Sequence, residues 1–366
     1  MSQNRLYAFG SNGSGQLGIG HAIDVSEPTE VLLDSNAKHK KIVNIASGGN
    51  HTLILFHDGT VISHGDNDDG RCLHHSEDDS WAPRNDSSIA DTDALSSNGV
   101  SHIAATWAAS IVVSGSTAVR VIGSGEFGQL GLGPGATISV VPTLIEDFPP
   151  HGLHIVKLAA CMAHVVAVLS NGEVWGWGAG RKGQLGRPAE IVWAPRKIEG
   201  INFPVVDVAC GKDFTCIFGD SQEGKCVFLG LDRNDRFNLK GNVPQQIPDW
   251  EQVASSWGCL FVRTNTGQIV AWGRNDHGQL PPKDLPPLKA FAVGSEHCVG
   301  LTKAGIIVAW GWGEHGNCGR PGEDLDEVEK TWVELESGDE VSAVFAGCAT
   351  SFFATTTPAM AYQLSL

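Results

Sequence analysis

The chain has 366 residues and is acidic, with 25 Lys and Arg against 41 Asp and Glu and a net charge of −16. Such a chain, with no basic tail, is a poor candidate for gripping phosphate backbones, and no apolar run reaches the length of a membrane span. Forty-five glycines and eleven tryptophans among few charges favour many short strands joined by tight turns.

From the N-terminus onward, two motifs alternate. The first is an apolar run closed by a glycine and followed by a glycine-punctuated loop. It occurs at Leu6–Gly18, Val61–Leu73, Val119–Gly131, Val174–Gly186, Cys226–Leu239, Ile269–Leu280 and Ile307–Gly319. The closing glycines are Gly10, Gly65, Gly123, Gly178, Gly230, Gly273 and Gly311, and four copies keep Gly-Gln-Leu, at Gln16, Gln129, Gln184 and Gln279. The second motif reads apolar, Ala, small, Gly or Cys, two variable residues, then often His. It occurs at Ile45–His51, Ile103–Ala109, Leu158–His164, Val208–Phe214, Val253–Cys259, Phe291–His297 and Phe345–Ser351. Each copy leads through a strand-like run to a turn such as Asp58-Gly59 or Asn171-Gly172, a strong hairpin signal.

Repetition on this scale marks a propeller or a solenoid. Each unit reads as four antiparallel strands: A is alanine-rich, B runs to the turn, C carries Trp-Gly, and D follows the Gly-Gln-Leu loop. Small residues suit A at a crowded axis, and tryptophans on C suit the wedges between sheets. The chain starts on a C strand at Leu6 and ends on a B strand at Ser351–Thr357. The expected fold is therefore all-β: a seven-bladed propeller over residues 1–366, closed by pairing of its terminal strands. The polar, acidic stretch 76–98 reads as an insertion, and 358–366 as a tail. The fifth C–D unit has lost its internal glycines, and Pro281–Pro287 replaces a normal D strand. The acid runs Glu77–Asp79 and Glu323–Glu329 read as solvated loops.

The N-terminus enters a repeat at once, so no signal peptide is expected. Nine cysteines without a Cys-x-x-Cys argue against a zinc knuckle or a disulfide framework. Cys161, Cys210 and Cys348 read as small apolar fillers, and no metal or cofactor is expected. The compartment expected is the cytoplasm, with the nucleus as a second location.

Ala-x-Gly-x-x-His-Thr and Trp-Gly-x-Asn-x-x-Gly-Gln-Leu-Gly resemble the regulator of chromosome condensation repeat over residues 6–357. The runs Ala8–Gly13, Gly211–Phe214, Gly294–His297, Gly311–Gly319 and Gly347–Thr350 resemble one fungal group within it, the alpha-tubulin suppressors or killer-toxin-insensitivity proteins. That resemblance implies a non-enzymatic scaffold forming a heterodimer with a small zinc- or iron-binding protein of diphthamide synthesis. It also implies support of Elongator-dependent wobble-uridine modification in transfer RNA. The broader repeat family allows an alternative, nucleotide exchange on a Ran-type small GTPase.

Three runs, from Gly123, Gly178 and Gly311, satisfy Gly-x-Gly-x-x-Gly, but each leads into a strand, so repeat turns are expected rather than dinucleotide sites. His51, His164 and His297 share one slot with Phe214 and Cys259, which points to an imidazole that braces a turn. No catalytic constellation stands out. The partner-binding candidates are Trp107, Lys212, Asp213, Trp257, Glu296, Trp312, Glu314 and His315, all placed by the meander on the A–B and C–D loop face. Trp107 and Trp257 read either as interface anchors or as lids folded over the channel mouth.

Overall fold

A computed structural model describes residues 3–73, 99–231, 234–319 and 332–357. The insertion 76–98, the tail 358–366 and the acid runs Glu77–Asp79 and Glu323–Glu329 lie outside the described residues.

Seven antiparallel sheets form a ring. Blade one joins the chain ends: Gln3–Gly10 pairs with Thr350–Thr357 from Gln3↔Thr357 to Gly10↔Thr350, flanked by Val25–Glu30 and Glu340–Ala346. The expected closure is therefore present, and Leu6, Ala8 and Phe9 are buried by it. Blade two is Ile42–Ser47, His51–Phe56 and Val61–Gly65. Blade three is Val100–Ala105, Ala109–Ser114, Ala118–Ser124 and Ile138–Leu144. Blade four is Ile155–Cys161, His164–Leu169, Val174–Gly178 and Val192–Lys197. Blade five is Asp207–Cys210, Phe214–Phe218 and Cys226–Gly230. Blade six is Trp250–Ser255, Cys259–Thr264 and Ile269–Gly273. Blade seven is Leu288–Val293, His297–Thr302, Ile307–Gly311 and Val333–Leu335.

Four blades have the expected four strands, and blades two, five and six have three among the described residues. In blade five only the bridge Lys225↔Gln246 remains of the outer strand. In blade six, prolines at 281, 282, 286 and 287 supply no N–H to an edge ladder.

The alanine-rich strands are the inner ones, and a cavity of about 230 Å³ at one end of the axis is lined by the ends of all seven. The core lies between blades. Trp177 and Trp310, on the third strands of blades four and seven, are buried there, as the wedge argument requires. The glycine that closes each third strand has a steric cause. Gly178 has φ +104°, and a Cβ there would stand 2.3 Å from the carbonyl oxygen of Ala163.

The Gly-Gln-Leu loops also have a physical explanation. Gln16, Gln129, Gln184 and Gln279 each turn Oε1 back onto the amide two residues earlier, at 2.9–3.0 Å. In the copies with an early asparagine, Asn12 and Asn275 Oδ1 accept from the amides of Leu17 and Leu280. These side chains staple their own loops, and none of the three Gly-x-Gly-x-x-Gly runs opens a helix. The one helical turn among the described residues is Ala37–His39.

Candidate docking face

The loops joining first to second strands form a collar around the channel mouth. Gly49 N donates to Trp107 O at 2.8 Å, and Trp107 N to Met162 O at 2.7 Å. A second arc runs from Lys212 N to Trp257 O, Trp257 N to Ser295 O, and Ser295 N to Gly347 O, at 3.0–3.1 Å. Neighbouring blades are thus stitched at their loops by main-chain bonds that do not depend on side-chain identity.

Trp107 and Trp257 extend from blades three and six over the mouth, with ring centroids 6.0 Å apart and planes tilted by 47°. They fold inward and meet, yet Trp107 remains 43% exposed. Lys212 Nζ lies 5.3 Å from the Trp257 ring, a cation–π distance. Asp213, partly buried, accepts from Arg236 Nη2 at 2.7 Å.

A polar groove between blades six and seven continues this surface. Glu296 is 6% exposed and fully committed: Oε1 lies 3.1 Å from Arg274 Nη1, and Oε2 accepts from Gln279 Nε2 at 3.1 Å. Burial raises its carboxyl pKa despite these partners. Arg274 also grips Asp276, so Glu296 ties the loop after the third strand of blade six to the collar of blade seven. Main-chain Glu296 O accepts from Trp312 N, and the Trp312 ring stacks on His277 at 4.3 Å and 14°. Beyond it, Glu314 is exposed, and His315 Nδ1 lies 2.9 Å from Asp24 Oδ2 on blade one. The structure therefore joins Trp107, Lys212, Trp257, Glu296 and Trp312 through a chain of contacts, while His315 pairs with Asp24, and Asp213 and Glu314 lie at the margins.

Sequence reasoning placed Met162 on this loop face without singling it out, and it missed Arg236 and Asp24. Arg236 sits in the fifth C–D copy, which has lost its internal glycines, Asp24 lies beyond the first copy, and Met162 enters through its carbonyl, which any residue supplies.

The repeated histidine slot needs correction in one respect. His297 lies over Gly294 of its own loop, but its Nε2 lies 2.8 Å from Ser351 Oγ on the next blade. His164 Nε2 lies 3.1 Å from Thr215 Oγ1 in the same way. These imidazoles brace blade against blade rather than only their own turn. Burial lowers their pKa to about 4, and that of His51 to about 3, so all three are neutral near pH 7.

Cys161, Cys210 and Cys348 line the cavity. Burial pushes Cys161 well above the usual thiol range, Cys210 up to about 12 and Cys348 up to about 11, which leaves all three as unreactive thiols. Among the described residues, no group of three or more His, Cys, Asp or Glu is placed to hold a metal.

Residues 5–353 match the RCC1-like domain family. A secretion-regulating guanine nucleotide exchange factor of Bos taurus is 28% identical over 295 residues, 75% of this chain and 61% of that protein. The chain therefore spans less than two thirds of that relative. An RCC1 repeat-containing protein of Schizosaccharomyces pombe is 26% identical over 310 residues, covering 81% of this chain and 84% of that one. Among solved structures, Prp20p of Saccharomyces cerevisiae superposes with a TM-score of 0.80 at 20% identity, over 98% of this chain and 92% of its own. Likeness at that identity speaks for the fold.

Proposed function

The chain belongs to the RCC1-like domain family, and from that premise we propose that it is a non-enzymatic binding propeller whose loop face holds a protein partner. The partner proposed is the small zinc- or iron-binding protein of diphthamide synthesis, in a heterodimer that supports diphthamide formation and Elongator-dependent wobble-uridine modification.

One observation carries this reading. Four of the five stretches that resemble the fungal alpha-tubulin suppressors are hydrogen-bonded to one another on blades seven and one. Ser11 N donates to Ala349 O at 2.8 Å, Ser295 N to Gly347 O at 3.1 Å, and Trp312 N to Glu296 O at 2.9 Å. Residues scattered over more than 300 positions of sequence thus form one patch, beside the aromatic collar. Aromatic anchors ringed by charge suit a small docked protein, with burial supplying affinity and charge supplying register.

A second reading, nucleotide exchange on a small GTPase, is favoured by the name of the Bos taurus relative. Affinity purification of the tagged full chain from cells separates the two. Stoichiometric recovery of a small zinc or iron protein supports the first. Recovery of a GTPase, with accelerated release of fluorescent GDP from it, supports the second and overturns the first.

A further inference from the structure

Two strands of this chain share the same five residues. Ile269–Gly273 of blade six and Ile307–Gly311 of blade seven both read Ile-Val-Ala-Trp-Gly. Each is the third strand of its blade, in equivalent register: Phe261 faces Ala271, and Val299 faces Ala309. Their surroundings differ. In blade seven, Val333–Leu335 adds on the outer side, with Ile307↔Leu335 and Ala309↔Val333, and all five residues are buried. In blade six the sheet ends at Ile269–Gly273, and none of the five is buried. Val270 is 41% exposed, against 0% for Val308.

The backbone direction of that open edge follows from its hydrogen bonds. Thr264 N donates to Gln268 O and Arg274 N to Gly258 O, so even-numbered peptides face inward. Thr302 N to Ile306 O and Trp312 N to Glu296 O set the same parity in blade seven. Ile269 and Ala271 therefore direct their N–H and C=O groups outward, where Ile307 and Ala309 meet a fourth strand. Among the described residues, no main-chain group pairs with them on that side.

An unpaired row of apolar, β-favouring residues is a template for a further strand. Leu280 and Leu285 pack against the cluster holding Ile269 and Ala271, but the connection between them contributes no ladder. Blade five lacks a full outer strand as well, which leaves Val270 open to the rim.

We propose that the edge of blade six accepts, by strand addition, an extended segment of a partner protein with apolar residues at alternate positions. The segment runs antiparallel to Ile269–Gly273, as Val333-Glu334-Leu335 runs on blade seven. This rim site is separate from the loop face and does not depend on what docks there. A second copy of the propeller is the poorer occupant, because each copy carries −16 and two such copies repel.

The chain contains its own probe, because Trp332–Glu336 covers the identical pentapeptide in blade seven. A fluorescent peptide of that sequence, titrated onto the full chain, should bind saturably. Hydrogen exchange should show the amides of Ile269 and Ala271 unprotected at first and protected once the peptide is bound. Ala271→Pro removes an outward N–H without touching the inward ladder and should weaken binding by about tenfold or more, with thermal stability unchanged. If that variant fails to fold, Val270→Lys, at a side chain already in solvent, takes its place with the same expectation. Absence of saturable binding overturns the proposal, as does binding that neither substitution weakens. Protection of the two amides before peptide is added also overturns it, and so does dimerisation of the chain through this edge.

Discussion

The indole Nε1 of Trp177 donates a hydrogen bond to the main-chain carbonyl of Gln129, at 3.0 Å and across a blade boundary. Trp310 and Gln279 repeat the arrangement at 3.2 Å. The tryptophan of one blade thus latches onto the stapled Gly-Gln-Leu loop of the blade before it. Trp177→Phe keeps most of the apolar volume but strands the Gln129 carbonyl. The expected loss is about 1–3 kcal/mol, read by urea unfolding. A loss no larger than that of an exposed substitution would show that the latch is incidental.

Closure of the ring predicts a larger effect. Deleting Gln3–Gly10 leaves Thr350–Thr357 as a bare edge and uncovers the neighbours of Leu6, Ala8 and Phe9, all buried in blade one. Loss of cooperative thermal unfolding, with aggregation, is expected. A truncated chain that melts at the temperature of the intact one would contradict the closure.

Gly178→Ala tests the closing glycine of the third strand. The residue must hold φ +104° with a methyl 2.3 Å from the Ala163 carbonyl oxygen, so backbone strain and a steric clash add. A cost on the order of 3 kcal/mol or more is expected. The same change at Gly133, where nothing lies within 4 Å of the added carbon, isolates the strain and should cost less.

The braces predict a pH dependence. His164 and His297 titrate at about 4 when folded, below the ordinary 6.5, because burial disfavours the imidazolium. The unfolded chain takes up protons that the folded chain refuses. Stability is therefore intact above about pH 6.5 and declines as pH falls toward about 4, by on the order of 3 kcal/mol per imidazole. Unfolding free energies measured across this window should show the slope. Replacing both residues by Phe, the residue blade five carries at Phe214, should remove their share of the slope and leave that of His51. An unchanged slope would assign the titration elsewhere.

On the loop face, Trp257→Ala and Trp107→Ala should each cost about 2 kcal/mol in partner binding. That is roughly thirtyfold in affinity. Calorimetry with the purified partner reads the effect, and a parallel melt separates it from unfolding. Wild-type affinity in both variants at unchanged stability would move the interface off the collar.

The ring was legible in the order of residues because its signals are local and repeated. A closing glycine followed by Gly-Gln-Leu marks a loop whose φ angles and staples lie within a few positions. The offset between the first and last strands implies closure by counting alone. The collar could not be read in this way. Trp107 meets Trp257 from 150 positions away, His297 finds Ser351 on the next blade, and Glu296 is buried by Arg274 and Gln279 rather than by any property of its own repeat. Blades six and seven show the division most directly. Ile-Val-Ala-Trp-Gly forms a third strand in both, because alternation and β-propensity are carried by those residues themselves. Whether the strand is covered depends on a neighbour supplied by the rest of the chain: Val333–Leu335 pairs with one copy, and prolines without N–H groups pass beside the other.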